Sequence, residues 1–390
     1  MRFSQRTHWN TEESELARAH RERLAAALPV ADLTASNPTR CGFDYSPALL
    51  SPLTNPRALD YDAQPRGMIS AREAVCRYYA SHGATLSPAQ IVLTTSTSEA
   101  YSYLFRLLCD PGSEILIPQP GYPLFDFLAT LDDVALKPAP LVYDHGWQID
   151  PEGFRRAITP KTRAIVLVHP NNPTGHFTKP WECAELARLC RQHDLALIVD
   201  EVFLDYGFSA DAPFTFAKGL ECVPVFVVSG MSKIAGLPQM KSAWIVAAGP
   251  EAETALDRLE VIADTFLSMN APVQCALPAW LEGRNAMQDQ IRRRVQCNLS
   301  ELDRKLAEAP LVHRLEVEGG WYAILRIPAL EPDEQTALEL LNTGVWIHPG
   351  HFFAMPPSGW LVVSLLGPVE EFRTGVEALL QHFSALSAHS

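Results

Sequence analysis

Three segments of this 390-residue chain set reactive side chains at the ends of short apolar runs. HPNNPTG (169–175) follows AIVLV (164–168), Asp200 closes ALIVD (196–200) with Glu201 next to it, and SGMSK (229–233) overlaps the end of VFVVS (225–229). Ligands of open α/β sheets bind beyond the carboxyl ends of the strands, so an amide, a carboxylate and an amine at three such ends can meet around one ligand. The lysine of SGMSK, Lys233, becomes a nucleophile only when its surroundings lower its pKa and leave it deprotonated. Each segment has an ordinary explanation when taken singly. NNPTG is a good turn, a strand-end aspartate often caps the next helix, and most lysines are solvated.

The elements that must position these groups are legible as alternation. IVLTT (91–95) precedes a helical stretch over about 98–109 that stops at Asp110-Pro111-Gly112, and EILIP (114–118) follows. AIVLV, the helical 182–193, ALIVD, VFVVS and AWIVA (243–247) continue the series. The runs are continuously apolar, as in strands covered by helices on both faces, and strand–helix alternation predicts a mostly parallel α/β sheet. After about residue 270 the pattern changes. A charged helical stretch over roughly 286–309 leads to RLEVEGGWYAILRIP, read as two strands about Gly319-Gly320. A helix near 334–342, strands at VWIHP and WLVVSLL, and a helix near 369–384 complete the chain. The fold class is therefore α/β, with a large domain over 41–270 and a smaller α+β domain built from 1–40 and 271–390.

Composition excludes several classes. Hydrophobic residues make up 47% of the chain and charged residues 20%, enough to bury a large core. The net charge of −13 argues against nucleic acid and anionic membrane surfaces as partners. The eight cysteines include no CxxC pair, as expected of reduced thiols in a cytoplasmic protein. The first residues lack an apolar signal core, and no uncharged run is long enough to span a membrane.

The order of the three segments forms a compound pattern: NPTG, a strand-end aspartate about thirty residues on, S-x-S-K-like residues another thirty on, and a basic residue eight beyond the lysine. It resembles the class I/II aminotransferase family of fold-type-I enzymes that use pyridoxal 5'-phosphate (PLP), over almost the whole chain. The resemblance implies Lys233 as the Schiff-base lysine and Asp200 as the carboxylate that keeps the pyridine nitrogen protonated. It also implies Asn172 as the hydrogen-bond donor to the phenolic oxygen and Tyr122 as the ring that stacks on the pyridine. Ser96, Thr97 and Ser98, between IVLTT and its helix, and Ser232 and Lys241 match phosphate-binding positions. Tyr61, in YDAQPRG, matches a tyrosine that reaches the neighbouring subunit's phosphate, which implies a homodimer with shared active sites.

The activity implied is ping-pong transfer of an amino group between an amino acid or amine and a 2-oxo acid. A PLP-dependent lyase or decarboxylase on the same fold is the alternative. A non-catalytic regulator is disfavoured because Lys233 and Asp200 are both kept.

Four positions depart from the family pattern. Lys241 stands where arginine is usual, a point charge in place of a bidentate fork. Gly230 replaces a serine three before Lys233, and Phe203 replaces a tyrosine that donates to the phenolic oxygen. Val362, in WLVVS, replaces the arginine that clamps the substrate α-carboxylate. Arg326, Asn37 and Asn172 are the expected substrate-binding residues, with Arg40, His348 and His351 as further pocket candidates. The HPGH turn does not set two imidazoles on one helical face, so no metal site is expected.

Overall fold

The computed structural model describes residues 1–123, 125–209 and 214–387. The strands are β1 (Ala31–Asp32), β2 (Ile91–Thr94), β3 (Glu114–Gln119), β4 (Ala135–Tyr143), β5 (Trp147–Ile149), β6 (Thr162–Val168) and β7 (Ala196–Asp200). They continue with β8 (Val225–Gly230), β9 (Ala243–Ala248), β10 (His313–Arg314), β11 (Tyr322–Arg326), β12 (Val345–Trp346), β13 (His348–Pro349) and β14 (Trp360–Ser364).

An eight-stranded sheet in the order β2-β9-β8-β7-β6-β3-β4-β5 forms the centre. The run β8-β7-β6-β3-β4 is parallel. Its apolar strands divide by alternation, with Ile198, Phe226 and Val228 on one face and Leu197, Val199, Val225 and Val227 on the other. Helices Thr97–Leu108 and Ala252–Phe266 cover the first face, and Ile69–Ser81 and Pro180–His193 lie over the second. Burial on both faces is why the strands read as unbroken hydrophobic runs.

Two strands break the parallel run: β5, antiparallel to β4, and AWIVA. AWIVA is β9, antiparallel to both β2 and β8. The link from β8 holds only the short helix Met231–Ile234 and a 3₁₀ turn, so it carries no crossover helix and β9 returns beside β8.

The smaller sheet has the order β10-β11-β14-β13 and is antiparallel throughout. The strand pair predicted about Gly319-Gly320 exists, but those glycines do not form a tight hairpin turn. Gly319 bridges to Gly207, and a Cβ there would lie 2.7 Å from the Tyr206 carbonyl oxygen. The connection therefore packs down on residues 206–208 and carries Trp321 into the interior. VWIHP is two strands in different sheets: β12 pairs with β1, and β13 with β14. The β1–β12 pairing joins the N-terminal segment to the C-terminal one, and Ser364 N–H donates to the Leu33 carbonyl at 2.7 Å. Helix Ala271–Glu282 packs on helix Ile69–Ser81, and helix Asn285–Leu306 on helix Val369–Ser387. No helix among the described residues is long and apolar enough to cross a membrane.

Candidate active site

A cavity of about 460 Å³ opens where β6, β7 and β8 end, facing the start of helix Thr97–Leu108 and the smaller sheet. Lys233 lies in the single helical turn that follows β8. Its carbonyl accepts a hydrogen bond from the Tyr206 hydroxyl at 2.7 Å, which fixes the turn. Its Nζ stands 4.9 Å from the Trp321 ring centre and 5.7 Å from that of Phe203. Burial against these rings lowers the Lys233 pKa to about 8, although Asp200 and Cys41 pull it upward. A minor but much increased share of the amine, roughly a tenth to a fifth, is then neutral near pH 7, the form that attacks a carbonyl.

Asp200 ends β7 and is buried. The Val202 N–H donates to its Oδ1 at 3.0 Å and the Tyr101 hydroxyl to its Oδ2 at 3.1 Å. Burial raises its pKa to about 6, while those two donors and Lys233 favour the ionised form. Alternation places Asp200 on the same sheet face as Ile198, towards helix Thr97–Leu108, and this is how Tyr101 reaches it.

The polar end of the cavity gathers Ser96, Thr97, Ser98, Ser232, Ser242 and Lys241. Ser96 is the N-cap of its helix, its Oγ accepting from the Glu99 N–H at 3.1 Å. The first N–H groups of a helix have no intrahelical acceptor, so this end suits an anion. Asn172 and Tyr122 also line the cavity, and Phe203 lies beside Lys233.

The cavity thus brings together Lys233, Asp200, Asn172, Tyr122, Ser96, Thr97, Ser98, Ser232 and Lys241. Three expected residues lie elsewhere. Tyr61 is 86% exposed and borders a separate cavity of about 160 Å³ with Gln64, Gly67 and Ser268. Arg326 is exposed, its guanidinium 5.7 Å over the Trp360 ring. It shares the β11 face with Tyr322 but sits two pleats further along, about 13 Å by strand rise. Asn37 is exposed and spends its Oδ1 on the Thr39 N–H and hydroxyl. Arg40 and His351 are exposed outside the lining, whereas His348 is in it.

Several lining groups were not anticipated. Ser36 neighbours Asn37, and Phe352 and Phe353 follow the HPGH turn, so the right segments were marked but not the right residues. Tyr101 lies on the apolar face of its helix among core aromatics, 4.9 Å from the Phe125 ring centre, and reads as core.

The sequence profile of aminotransferase class I and II matches residues 62–379. The chain belongs to that family. It is similar to the glutamate-pyruvate aminotransferase AlaA of Escherichia coli K12, 26% identical over 349 residues that cover 86% of each chain. It is also similar to an alanine aminotransferase of Mycobacterium tuberculosis H37Rv, 28% identical over 378 residues, 92% of this chain and 87% of that one. An alanine aminotransferase structure from Pyrococcus furiosus superposes with a TM-score of 0.90 over 98% of this chain and 100% of that one; at 22% identity this speaks to the fold. The expected PLP-dependent transaminase of fold type I is borne out by this membership.

The residues present fit the cofactor the family implies. Asn172 Oδ1 and Ser242 Oγ are buried on the cavity wall without a hydrogen-bond partner, and buried polar atoms are rarely left so unless a ligand or water completes them. A primary amine, a buried carboxylate and a hydroxyl-rich helix start match the aldehyde, ring nitrogen and phosphate of PLP in chemistry.

Proposed function

We propose that this aminotransferase binds PLP in the 460 Å³ cavity, with Lys233 as the residue that carries it. Asp200 takes the ring nitrogen, Asn172 the phenolic oxygen, Tyr122 the ring face, and Ser96, Thr97, Ser98, Ser232 and Lys241 the phosphate. When bound, PLP supplies the electron sink for a proton lost from the substrate's α carbon. Asp200 keeps the ring nitrogen protonated, and Val202 N–H and the Tyr101 hydroxyl keep Asp200 charged for that task. Lys233 would serve as the base at the substrate's α carbon, its Nζ holding the proton taken there and returning it. Trp321 and Phe203 exclude water around that amine. The observation that carries the reading is the pair Lys233 and Asp200, the amine lowered and the carboxylate raised by burial in one cavity.

We further propose a homodimer in which Tyr61 serves the partner's site, supported by its 86% exposure outside its own cavity. In this reading the chain divides into a large PLP-binding domain, 41–270, and a small domain, 1–40 with 271–390.

The test is one half-reaction. Holoprotein given an amino donor and no acceptor should release one equivalent of carbonyl product per site and stop until a 2-oxo acid is added. Continuous release of ammonia or carbon dioxide without acceptor would identify a lyase or decarboxylase instead.

A further inference from the structure

A lysine that acts as a base swings about the backbone that carries it, so the backbone of residues 231–236 sets where the Lys233 Nζ can go. That backbone has little support of its own. The helix Met231–Ile234 is a single turn, and the carbonyls that end a helix have no intrahelical donor. Side chains from three separate parts of the chain supply the donors instead. The Tyr206 hydroxyl donates to the Lys233 carbonyl at 2.7 Å, the Gln288 amide to the Ile234 carbonyl at 2.9 Å, and the Tyr45 hydroxyl to the Gly236 carbonyl at 2.6 Å.

Gln288 and Tyr206 are tied to one another as well as to the turn. Arg292 Nη2 donates to Gln288 Oε1 at 3.3 Å, which leaves the Gln288 amide nitrogen facing Ile234. Arg292 Nε donates to the Asp205 carbonyl at 3.1 Å, next to Tyr206. The Asp205 carboxylate accepts from the Tyr78 hydroxyl at 2.9 Å and lies 3.1 Å from His82 Nε2. Gln288 and Tyr206 are both buried, so water does not compete for these bonds. Gly236 has a φ of +61°, and a Cβ there would lie 3.0 Å from Met287 Cγ and 3.2 Å from the Tyr45 hydroxyl. Helix Asn285–Leu306 therefore lies directly against the turn.

The same helix reaches the opposite side of the cavity. Asn298, about 15 Å along the axis from Gln288, donates from Nδ2 to the Leu365 and Gly367 carbonyls, each at 2.9 Å, just past β14. β14 pairs with β11 and β13, which bring Tyr322 and His348 to the lining. One helix thus spans from the lysine turn to the sheet that faces it.

We propose that Gln288 and Tyr206 are positioning residues for amino-group transfer, holding the Lys233 turn in fixed relation to the smaller sheet so that Nζ meets the α carbon. Neither belongs to the cavity lining. The inference rests on Lys233 being the base of the transaminase reading and adds two residues outside that site.

The test uses Tyr206→Phe and Gln288→Met, each of which removes one donor and keeps the side chain's bulk. In half-reactions of the holoprotein with the amino acid that the parent uses fastest, each variant should lower the limiting rate about ten- to a hundredfold, the effect of misplacing a reacting group by about 1 Å. The donor concentration at half-saturation should change less than about threefold, because the interaction lost is with Lys233 and not with the donor. In cofactor-free protein, hydrogen exchange at Gly236 and Leu237, whose N–H groups donate back to the Lys233 and Met231 carbonyls, should quicken about fivefold, the equivalent of one neutral hydrogen bond.

Variants that keep the parent's limiting rate overturn the proposal. So do variants that melt earlier while exchange at Gly236 and Leu237 stays parental, the result of a merely structural role. Two variants on separate elements keep the test decisive if one fails to fold. If the parent transfers no amino group from any donor, the transaminase reading fails, and the exchange arm alone then shows whether the two side chains hold the turn.

Discussion

Asp200 shows how function and stability oppose one another at a single residue. Its pKa is raised by burial from 3.8 to about 6, so it stabilises the cofactor-free fold below pH 3.8 and loses that contribution as pH rises through about 6. Lys233 has the opposite sense. Its pKa is lowered to about 8, so its contribution is present above its ordinary 10.5 and is lost as pH falls through 8. At neutral pH both groups disfavour the cofactor-free fold. We predict that Asp200→Asn raises the thermal midpoint of cofactor-free protein at pH 7–8, by the equivalent of about 1–3 kcal/mol, and reduces turnover at least a hundredfold. The gain should shrink towards pH 4, where the parent carboxylate is itself protonated. An unchanged midpoint across that range would show that burial imposes no such penalty. Lys233, Asp200 and Asn172 were legible because each closes or follows an apolar run, and strand ends are where such sheets bind ligands. Tyr101 was not, because a tyrosine on an apolar helix face has the same signature whether or not its hydroxyl finds a carboxylate. Arg326 was misplaced for another reason: strand alternation gives the face of a residue but not its distance along the strand from the cavity.

At the scale of elements, the turn between β8 and β9 is the part under the tightest steric constraint. Gly230 ends β8 with extended backbone, and a Cβ there would lie 2.9 Å from both the Ala243 Cβ and the Ser242 carbonyl oxygen. The missing serine at this position therefore follows from how closely β9 returns beside β8. Gly230→Ser should destabilise the protein by about 1–3 kcal/mol, the usual penalty for overpacking, and weaken cofactor retention because Ser232 and Lys233 follow directly. Thermal melts and cofactor titration check this, and a serine variant with parental values would remove the constraint. Strands β8, β7, β6 and β3 of the parallel run could be read from apolar runs alternating with helices, whereas β4, with two prolines and several exposed residues, gives no such run. The reversal of β9 could not be read, since an apolar run buried on both faces carries no direction. Gly319 likewise signalled a turn without signalling that residues 206–208 would be its partner.

For the whole molecule, the pairing of β1 with β12 ties the N-terminal segment to the C-terminal part of the chain, and Tyr61 is exposed. If sites are shared between subunits, Tyr61→Ala and Lys233→Ala chains should each have little activity, and mixed dimers should regain it because one site then holds both intact residues. Activity of the mixture no greater than the sum of its parts would make Tyr61 a surface residue of its own chain. The central claim remains that one buried amine carries the cofactor. Borohydride reduction of the holoprotein followed by peptide mass mapping tests it most directly. The account predicts a cofactor-derived mass on Lys233 alone, and a label on Lys241 or any other lysine would contradict it.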